Sequence, residues 1–363
     1  MMNSFVNITD VCSEIFAGGD APKSNMSESK TDAYKIPIFS NGEANDGLYG
    51  YTNFARVTQP SITVSARGTI GFVAVRNEPF VPIVRLISLT PDPEKIEIRY
   101  LYYAIQNYKF DGSGTSIPQL TVPMLKKYSF PLPTKEQQLA IIDQLDNVCN
   151  LISLRQQQLS KLDELVKSRF IEMFGNPVSN DKGWQHQAMA EVAPSSAGLG
   201  DNSETVWLLN LDMVEAQTGR ILDYLYVEKE QVGTSTCAFD EGNVLYSKLR
   251  PYLNKVVVPT KKGYCTTELV PLRPNAKLNR QFLAYLLRSE AFVSFINEKV
   301  AGAKMPRVSM SVFRDFECIL PPMDLQKEFA TFVEQTDKSK FEIKKSLEKL
   351  ETLKKALMQK YFG

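Results

Sequence analysis

The chain has 363 residues, a net charge of +1 and 43% hydrophobic residues, values typical of a soluble protein with two or three domains. No run of about 18 apolar residues could cross a membrane, and residues 1–14 lack the basic and apolar regions of a secretory signal, so we expect a cytoplasmic protein that does not contact membranes. The near-neutral charge argues against strong non-specific binding of nucleic acid by this chain alone.

Two kinds of segment alternate along the chain. Mixed regions rich in β-branched strand-like runs alternate with long, continuous helical patterns. The predicted segments are 1–133 (mixed), 134–175 (helix), 176–321 (mixed) and 322–363 (helix). Strands are predicted at 61–75, 79–89, 205–211, 221–227, 243–249 and 254–260, and shorter helices at 98–107 and 279–300.

The two long helical segments belong to an internal repeat. Residues 112–175 align with residues 300–363 without a gap, so that Gln138 matches Gln326. Both helical patterns start after a Leu-Pro step and stop at a Phe-Gly step, where proline and glycine suit the first turn and the C-cap. Because the long period occurs only twice, the chain is a duplicated module and not a solenoid. Two similar halves could contact two similar targets at a fixed separation.

A heptad pattern runs through both long helices. Such a stripe predicts packing against another helix, and the simplest partner of each is the other. A pseudo-two-fold repeat would make this pair an antiparallel coiled coil. Arg155, Arg169, Thr336, Lys340 and Lys354 interrupt the stripe, which indicates either an imperfect seam or polar pairs that set the register. The predicted seam includes Leu145, Val148, Ile152, Leu159, Leu162, Val166, Val333, Ile343, Leu347, Leu350 and Leu357.

Basic stretches without any acidic residue recur at similar places in both halves. They cover residues 47–77, 242–267 and 299–314. Ordinary solvated loops would also give this pattern. The alternative is that these stretches contact a polyanion, since arginine and lysine neutralise phosphates and pair with base edges.

Motifs for catalysis are missing from the sequence. The five cysteines form no C-x-x-C pair, which argues against a zinc site or a disulfide framework and favours a reducing compartment. His186 is the only histidine, so any serine–histidine or cysteine–histidine mechanism would depend on it. There is no phosphate-binding G-x-x-x-x-G-K-[ST] loop, no methyltransferase N/D-P-P-Y/F step and no Rossmann-type glycine turn. We therefore predict no catalytic, cofactor-binding or metal-ligating residues.

The order of these features, given twice, resembles the specificity subunit of type I restriction–modification systems. The resemblance covers essentially the whole chain, although no single motif is strong. It departs from the common pattern at the helix starts, where a second proline is missing from the first repeat and Leu325 replaces the usual Glu in the second. The matching segments are 132–141 (LPTKEQQLAI), 320–329 (LPPMDLQKEF), 65–71 (SARGTIG), 247–255 (SKLRPYLNK), 112–120 (GSGTSIPQL) and 301–308 (AGAKMPRV).

The resemblance implies an α+β protein with two target-recognition domains, each reading half of a split site in double-stranded DNA. The long helices would set the spacer and dock two modification subunits. These subunits would bring S-adenosylmethionine, and motor-nuclease subunits using ATP would join them. The chain itself would be non-catalytic. The residues that we expect near DNA are Ser65, Arg67, Ser113, Thr115, Ser247, Lys248, Arg250, Lys255, Lys304 and Arg307.

Two other functions fit parts of the sequence. A coiled-coil adaptor that binds proteins and not DNA would have the observed neutral charge, although the paired basic loops disfavour it. A self-contained methyltransferase or restriction enzyme would need the cofactor and catalytic motifs that are missing. The specificity-subunit interpretation accounts for the most features.

Overall fold

A computed structural model describes residues 4–108, 119–300 and 306–363. Contacts divide the chain into two compact units, Met1–Gln156 with Lys345–Gly363, and Gln157–Lys344. The division points lie inside the two long helices, so each unit contains one mixed domain and part of both helices. Within the described ranges, no helix is both long and apolar enough to cross a membrane.

The mixed domain of the first unit contains nine strands and three short helices among its described residues, followed by the long helix α4. The strands are β1 (Ser4–Asn7), β2 (Cys12–Ala17), β3 (Ile36–Phe39), β4 (Leu48–Thr52), β5 (Ser61–Val64), β6 (Val73–Arg76), β7 (Val81–Pro82), β8 (Ile87–Pro91) and β9 (Ser129–Leu132). The helices are α1 (Ile8–Val11), α2 (Ile98–Asn107), α3 (Val122–Leu125) and α4 (Lys135–Phe174).

The core of this domain lies between α2 and a four-stranded antiparallel sheet of order β2-β8-β5-β6. The α2 side chains Tyr100, Leu101 and Ala104 are fully buried, as their helical spacing on one face predicts. A three-stranded sheet of order β4-β3-β7 adds a smaller cluster, and β1 pairs with β9. This arrangement leaves the loop between β5 and β6 at the edge of the main core.

The second unit repeats the plan with different sheets. Its strands are β10 (His186–Ala188), β11 (Thr205–Leu209), β12 (Leu225–Glu228), β13 (Thr236–Phe239), β14 (Val244–Ser247), β15 (Val256–Val257), β16 (Gly263–Thr266), β17 (Leu269–Leu272) and β18 (Glu317–Ile319). Its helices are α5 (Met189–Val192), α6 (Arg280–Arg288), α7 (Glu290–Glu298), α8 (Met310–Arg314) and α9 (Met323–Phe362). The sheets have the orders β12-β11-β16-β13 and β15-β14-β17, and β10 pairs with β18 as β1 pairs with β9.

The single helix expected at 279–300 is wrong. Ser289 adopts extended backbone angles (φ −62°, ψ 142°) and ends α6. Its side chain then accepts the backbone N–H of Phe292 and so caps α7. Serine favours such N-caps because its oxygen satisfies a free backbone donor, and the apolar pattern on both sides concealed this break.

A buried glutamine ties each long helix to the domain beside it. In the first unit, Gln138 Oε1 accepts the backbone N–H of Glu97 (2.8 Å), and its amide nitrogen donates to the carbonyl of Pro133 (3.0 Å). In the second unit, Gln326 makes the equivalent bonds to Asn279 (2.8 Å) and Pro321 (2.7 Å). Glu97 and Asn279 are the N-cap residues of α2 and α6. We call this arrangement the glutamine clamp, and it fixes the start of each long helix against the start of a domain helix.

Each domain helix also packs against the last turn of a long helix. In the first unit, the rings of Tyr100 and Phe362 are 5.0 Å apart. In the second unit, Phe174 lies 4.7 Å from Phe282. Since Phe362 ends α9 and Phe174 ends α4, each domain contacts the start of one long helix and the end of the other. The two domains therefore make equivalent contacts with the long helices, as the sequence repeat implies.

The long helices run antiparallel within the second unit. Arg169 pairs with Glu328, and Lys340 pairs with Asp163, so residue numbers rise along one helix as they fall along the other. Lys340, one of the predicted interruptions, is only 13% exposed and carries an ion pair at the seam. Of the predicted seam residues, Leu145, Val148, Val166, Val333 and Ile343 are buried, and Ile152, Leu159, Leu162, Leu347, Leu350 and Leu357 are half-buried.

Candidate DNA interface

The first basic loop, residues 65–72, connects β5 to β6. It closes on itself through backbone bonds from Ser65 to Phe72 (2.9 Å) and from Gly71 to Ser65 (3.0 Å). Gly68 has φ +69°, a left-handed conformation that glycine adopts without steric cost. The loop therefore turns sharply and leaves Arg67 exposed at its tip.

A second segment lies against this loop, directly before α3. The backbone N–H of Leu120 donates to the carbonyl of Ala66 (3.0 Å). The Arg67 guanidinium donates to the side-chain oxygen of Gln119 (2.9 Å). The described end of segment 112–120 therefore contacts the basic loop, and Gln119 orients its arginine.

The second unit has the same pair of segments with different side chains. The loop after β14 receives a hydrogen bond from Val308 to the carbonyl of Lys248 (2.9 Å), and Arg250 donates its N–H to the carbonyl of Pro306 (2.8 Å). Arg250 is exposed and has a left-handed backbone (φ +49°). Arg307 pairs with Glu268 at 2.8 Å while its side chain stays 57% exposed. The partner carboxylate of Glu268 is only 25% exposed, so a phosphate that binds Arg307 would compete with a partly buried ion pair.

Several predicted contact residues lie elsewhere. Ser65 is fully buried and accepts the N–H of Gly42 through its hydroxyl (3.1 Å). Ser247 is 2% exposed and donates to the carbonyl of Leu249 (2.9 Å). Both hydroxyls bond inside their loops and are not exposed in this structure, and the expectation that these residues lie near DNA stays a prediction. Ser65 directly follows β5 and Ser247 is the last residue of β14, and both strands lie inside their sheets.

Lys255 is half-buried and bonded to the backbone. Its ammonium group donates to the carbonyl of Leu211 (2.8 Å), and burial lowers its pKa. In this structure the ammonium group of Lys255 is engaged by the fold, and the expectation that it lies near DNA stays a prediction. Ser113, Thr115 and Lys304 lie outside the described residues, and the proposal that they approach DNA stays a prediction.

Two residues at this site were missed by sequence reasoning. Gln119 and Glu268 hold the exposed arginines Arg67 and Arg307. Gln119 could have been found, because it aligns with Arg307 in the repeat. Glu268 could not, since it lies outside the repeated stretch and its contact depends on the turn between β16 and β17.

No cluster of catalytic type accompanies these loops. Across the described residues, no group of three or more His, Cys, Asp or Glu side chains is placed to hold a metal ion. The side chain of His186 is exposed and, among the described residues, hydrogen-bonds only to the carboxylate of Glu317 (2.7 Å). The arrangement can present cations and amides to a ligand.

Comparison with known proteins identifies the family. The profile of the type I restriction modification DNA specificity domain matches residues 3–164 and 182–355. A putative type I specificity subunit of Mycoplasma pneumoniae is 38% identical over 139 residues, a stretch that spans 38% of this chain and 38% of that relative. The Escherichia coli type I restriction enzyme EcoDI specificity subunit is 21% identical over 317 residues, covering 75% of this chain and 70% of that one.

Solved structures show the same fold. The type I restriction–modification S subunit from M. genitalium has a TM-score of 0.57 at 17% identity and covers 99% of this chain and 96% of that chain. The resemblance inferred from the repeated segments, and the predicted α+β fold with two domains and paired long helices, are confirmed. Because two copies of the family profile cover most of the sequence, the chain belongs to the family of type I restriction–modification DNA specificity subunits.

Proposed function

We propose that this chain gives a type I complex its sequence specificity by reading a split, asymmetric DNA site, with one half-site per unit. The observation that carries this proposal is the duplicated pair of segments at the two basic loops. The backbone contacts are equivalent, from Leu120 to Ala66 and from Val308 to Lys248. The exposed side chains differ, with Arg67 in one unit and Arg250 in the other. Loops with equivalent backbone contacts and different exposed side chains suit the reading of different DNA sequences.

The chemistry of these tips fits base edges and phosphates. Arginine forms paired hydrogen bonds with guanine in the major groove, whereas contacts to phosphates position the protein without specifying sequence. The net charge of +1 offers little phosphate neutralisation, which normally supplies most non-specific affinity. Partner subunits would therefore provide much of the affinity for DNA, and this chain would provide the sequence specificity.

The long helices offer surfaces for those partners. Large apolar side chains remain about half exposed along them although the seam is covered. A row of exposed leucines on a helix marks a surface that another protein can bury. We propose that two modification subunits dock here and bring S-adenosylmethionine, and that motor-nuclease subunits using ATP join them. The exposed residues are Leu139, Leu151, Leu154 and Leu353 in the first unit and Leu165 and Phe341 in the second.

A methylome by long-read sequencing tests the proposal. Cells with the gene and its modification partner should carry one split motif, with two unlike half-sites, a fixed gap and methyl-adenine on both strands. The motif should vanish when the gene is deleted. An unchanged methylome in cells that express the partner would contradict the proposal and favour the adaptor alternative.

Arginine variants then assign each unit to its half-site. Arg67→Ala should weaken recognition of one half-site and Arg250→Ala of the other, by about 1–3 kcal/mol at one base pair if the contact is to a base. Arg56→Ala is the matched control, because Arg56 is bonded to Glu14 and lies over the ring of Phe16. If Arg67→Ala and Arg250→Ala both methylate like the control, these loops do not read DNA.

A further inference from the structure

A tight turn with strained backbone lies between β7 and β8 of the first unit. Val84 and Arg85 both have left-handed backbone angles, with φ +51° and +63°. The N–H of Leu86 donates to the carbonyl of Ile83 (3.0 Å) across them, as in a type I′ turn. Such turns favour Asn-Gly, and a β-branched residue at positive φ is a genuine outlier. The sequence therefore uses two side chains that the turn itself disfavours.

Neighbouring backbone holds this strained turn in place. Val84 donates its N–H to the carbonyl of Gly19 (2.7 Å), and Arg85 donates to the carbonyl of Gly18 (3.0 Å). A Cβ atom on Gly18 would lie 2.4 Å from the carbonyl oxygen of Pro82, so only glycine permits this approach. Strain of this kind persists where the surroundings over-determine it, and it is concentrated at functional sites.

Asn41 connects the turn to the basic loop. Its amide nitrogen donates to the carbonyl of Val84 (2.6 Å), and its oxygen accepts the N–H of Ala66 (2.7 Å). Ala66 directly precedes Arg67, the exposed tip of the basic loop. The Asn41 side chain therefore holds the turn at 84–85 beside the basic loop that carries Arg67.

The side chains of the turn are available for binding. Val84 is 46% exposed, and Arg85 is exposed. Within the described part of the chain, the Arg85 guanidinium makes no hydrogen bond, ion pair or ring contact. The other arginines of this domain are held by Glu14 (Arg56), Gln119 (Arg67), Asp46 (Arg76) and Asp146 (Arg99). Arg85 is thus the arginine that this domain leaves without a partner of its own.

We propose that Val84 and Arg85 form a second base-reading tip of the first unit. Arg85 would pair with a guanine in the major groove, and the Val84 methyl groups would contact a neighbouring thymine methyl or other apolar base edge. The inference rests on the proposed DNA-reading function and deepens it. In the second unit, β16 pairs with β11 as β7 pairs with β3, and β17 pairs with β14 as β8 pairs with β5. The equivalent turn, between β16 and β17, carries Glu268, which is bonded to Arg307. The two units therefore present different chemistry at this turn, which makes the half-sites unlike.

A turn replacement separates reading from folding. In the Val84→Asn/Arg85→Gly variant, the turn keeps its geometry with residues that favour it, so the melting temperature should stay or rise. The complex of this chain with its modification subunits should nevertheless lose preference at one or two base pairs of one half-site. The single variant Arg85→Ala should lose about 5- to 150-fold in preference for its base, the equivalent of 1–3 kcal/mol. Arg56→Ala again serves as the control.

Methylation of the cognate site and of all single-base variants gives the readout. If the wild-type complex methylates a split site and the turn variants keep its full preference, Val84 and Arg85 do not read bases. Equal weakening on every sequence, with a shallower salt dependence, would mean a phosphate contact and would also overturn the proposal. If the wild-type complex methylates no split site, the proposed function itself fails, which is a different result.

Discussion

The glutamine clamp gives the sharpest test of how the fold is held. Gln138 is fully buried and satisfies the backbone N–H of Glu97 and the carbonyl of Pro133, at 2.8 and 3.0 Å. Its bond to the carbonyl of Lys95 is longer, at 3.3 Å. We expect Gln138→Met, which keeps the length of the side chain and removes its polar atoms, to destabilise the first unit.

The magnitude follows from the groups that the variant leaves unpaired. A buried donor or acceptor that loses its partner costs about 1–3 kcal/mol. Two short bonds are lost at Gln138, so the free energy of unfolding should fall by about 2–6 kcal/mol. For a unit of this size, each kcal/mol lowers the melting temperature by about 2–4 °C. Gln326→Met should have the same effect in the second unit, because its bonds are equivalent.

The assay is thermal unfolding of the purified chain, with Gln137→Met as the matched control. Gln137 is adjacent and exposed, and its side chain accepts the N–H of Thr134 at the helix start (3.2 Å). Loss of such a cap costs about 1 kcal/mol. If Gln138→Met is no more destabilised than Gln137→Met, the clamp does not hold the helix to the domain.

Two further predictions concern the second unit. Hydrogen bonds from Arg273 lower the pKa of Asp240 to about 2, with help from two backbone N–H groups. Because the folded pKa is depressed, Asp240→Asn should lower the free energy of unfolding in urea by about 2–3 kcal/mol at pH 7. This difference should shrink as the pH falls from 4 towards 2. A pH-independent difference would rule out the ionised carboxylate as its cause. Phe174→Ala should lower the free energy of unfolding by about 3–5 kcal/mol, because the ring is fully buried. Phe341 is 64% exposed, so Phe341→Ala should lower it by less than about 0.5 kcal/mol. Equal losses in the two variants would contradict the assigned packing.

The long helices could be read from the sequence almost to the residue. Predicted at 134–175 and 322–363, they span Lys135–Phe174 and Met323–Phe362. Proline before each start, glycine after each end and a heptad stripe between them all indicate the same boundaries. Local signals were sufficient here because helix ends depend mainly on residues within one turn.

The candidate DNA interface was less predictable, because solvent exposure there depends on contacts between distant segments. Ser65 and Ser247 stand in basic loops, yet both are buried beneath them. No nearby sequence signal separates them from Arg67 and Arg250, which are exposed. The strained turn at 84–85 was not predicted, because Val-Arg is a poor sequence for a turn with two positive φ angles.

The misfit between that turn and its sequence is itself informative. Where local preference and structure agree, as at the helix ends, folding alone explains the residues. Where they conflict, as at Val84 and Arg85, the residues require a reason beyond folding. Asn-Gly would form the same turn without strain, so selection for stability would not favour Val-Arg. Since Asn41 holds this turn beside the basic loop, the proposed contact of both with one DNA half-site would account for both facts.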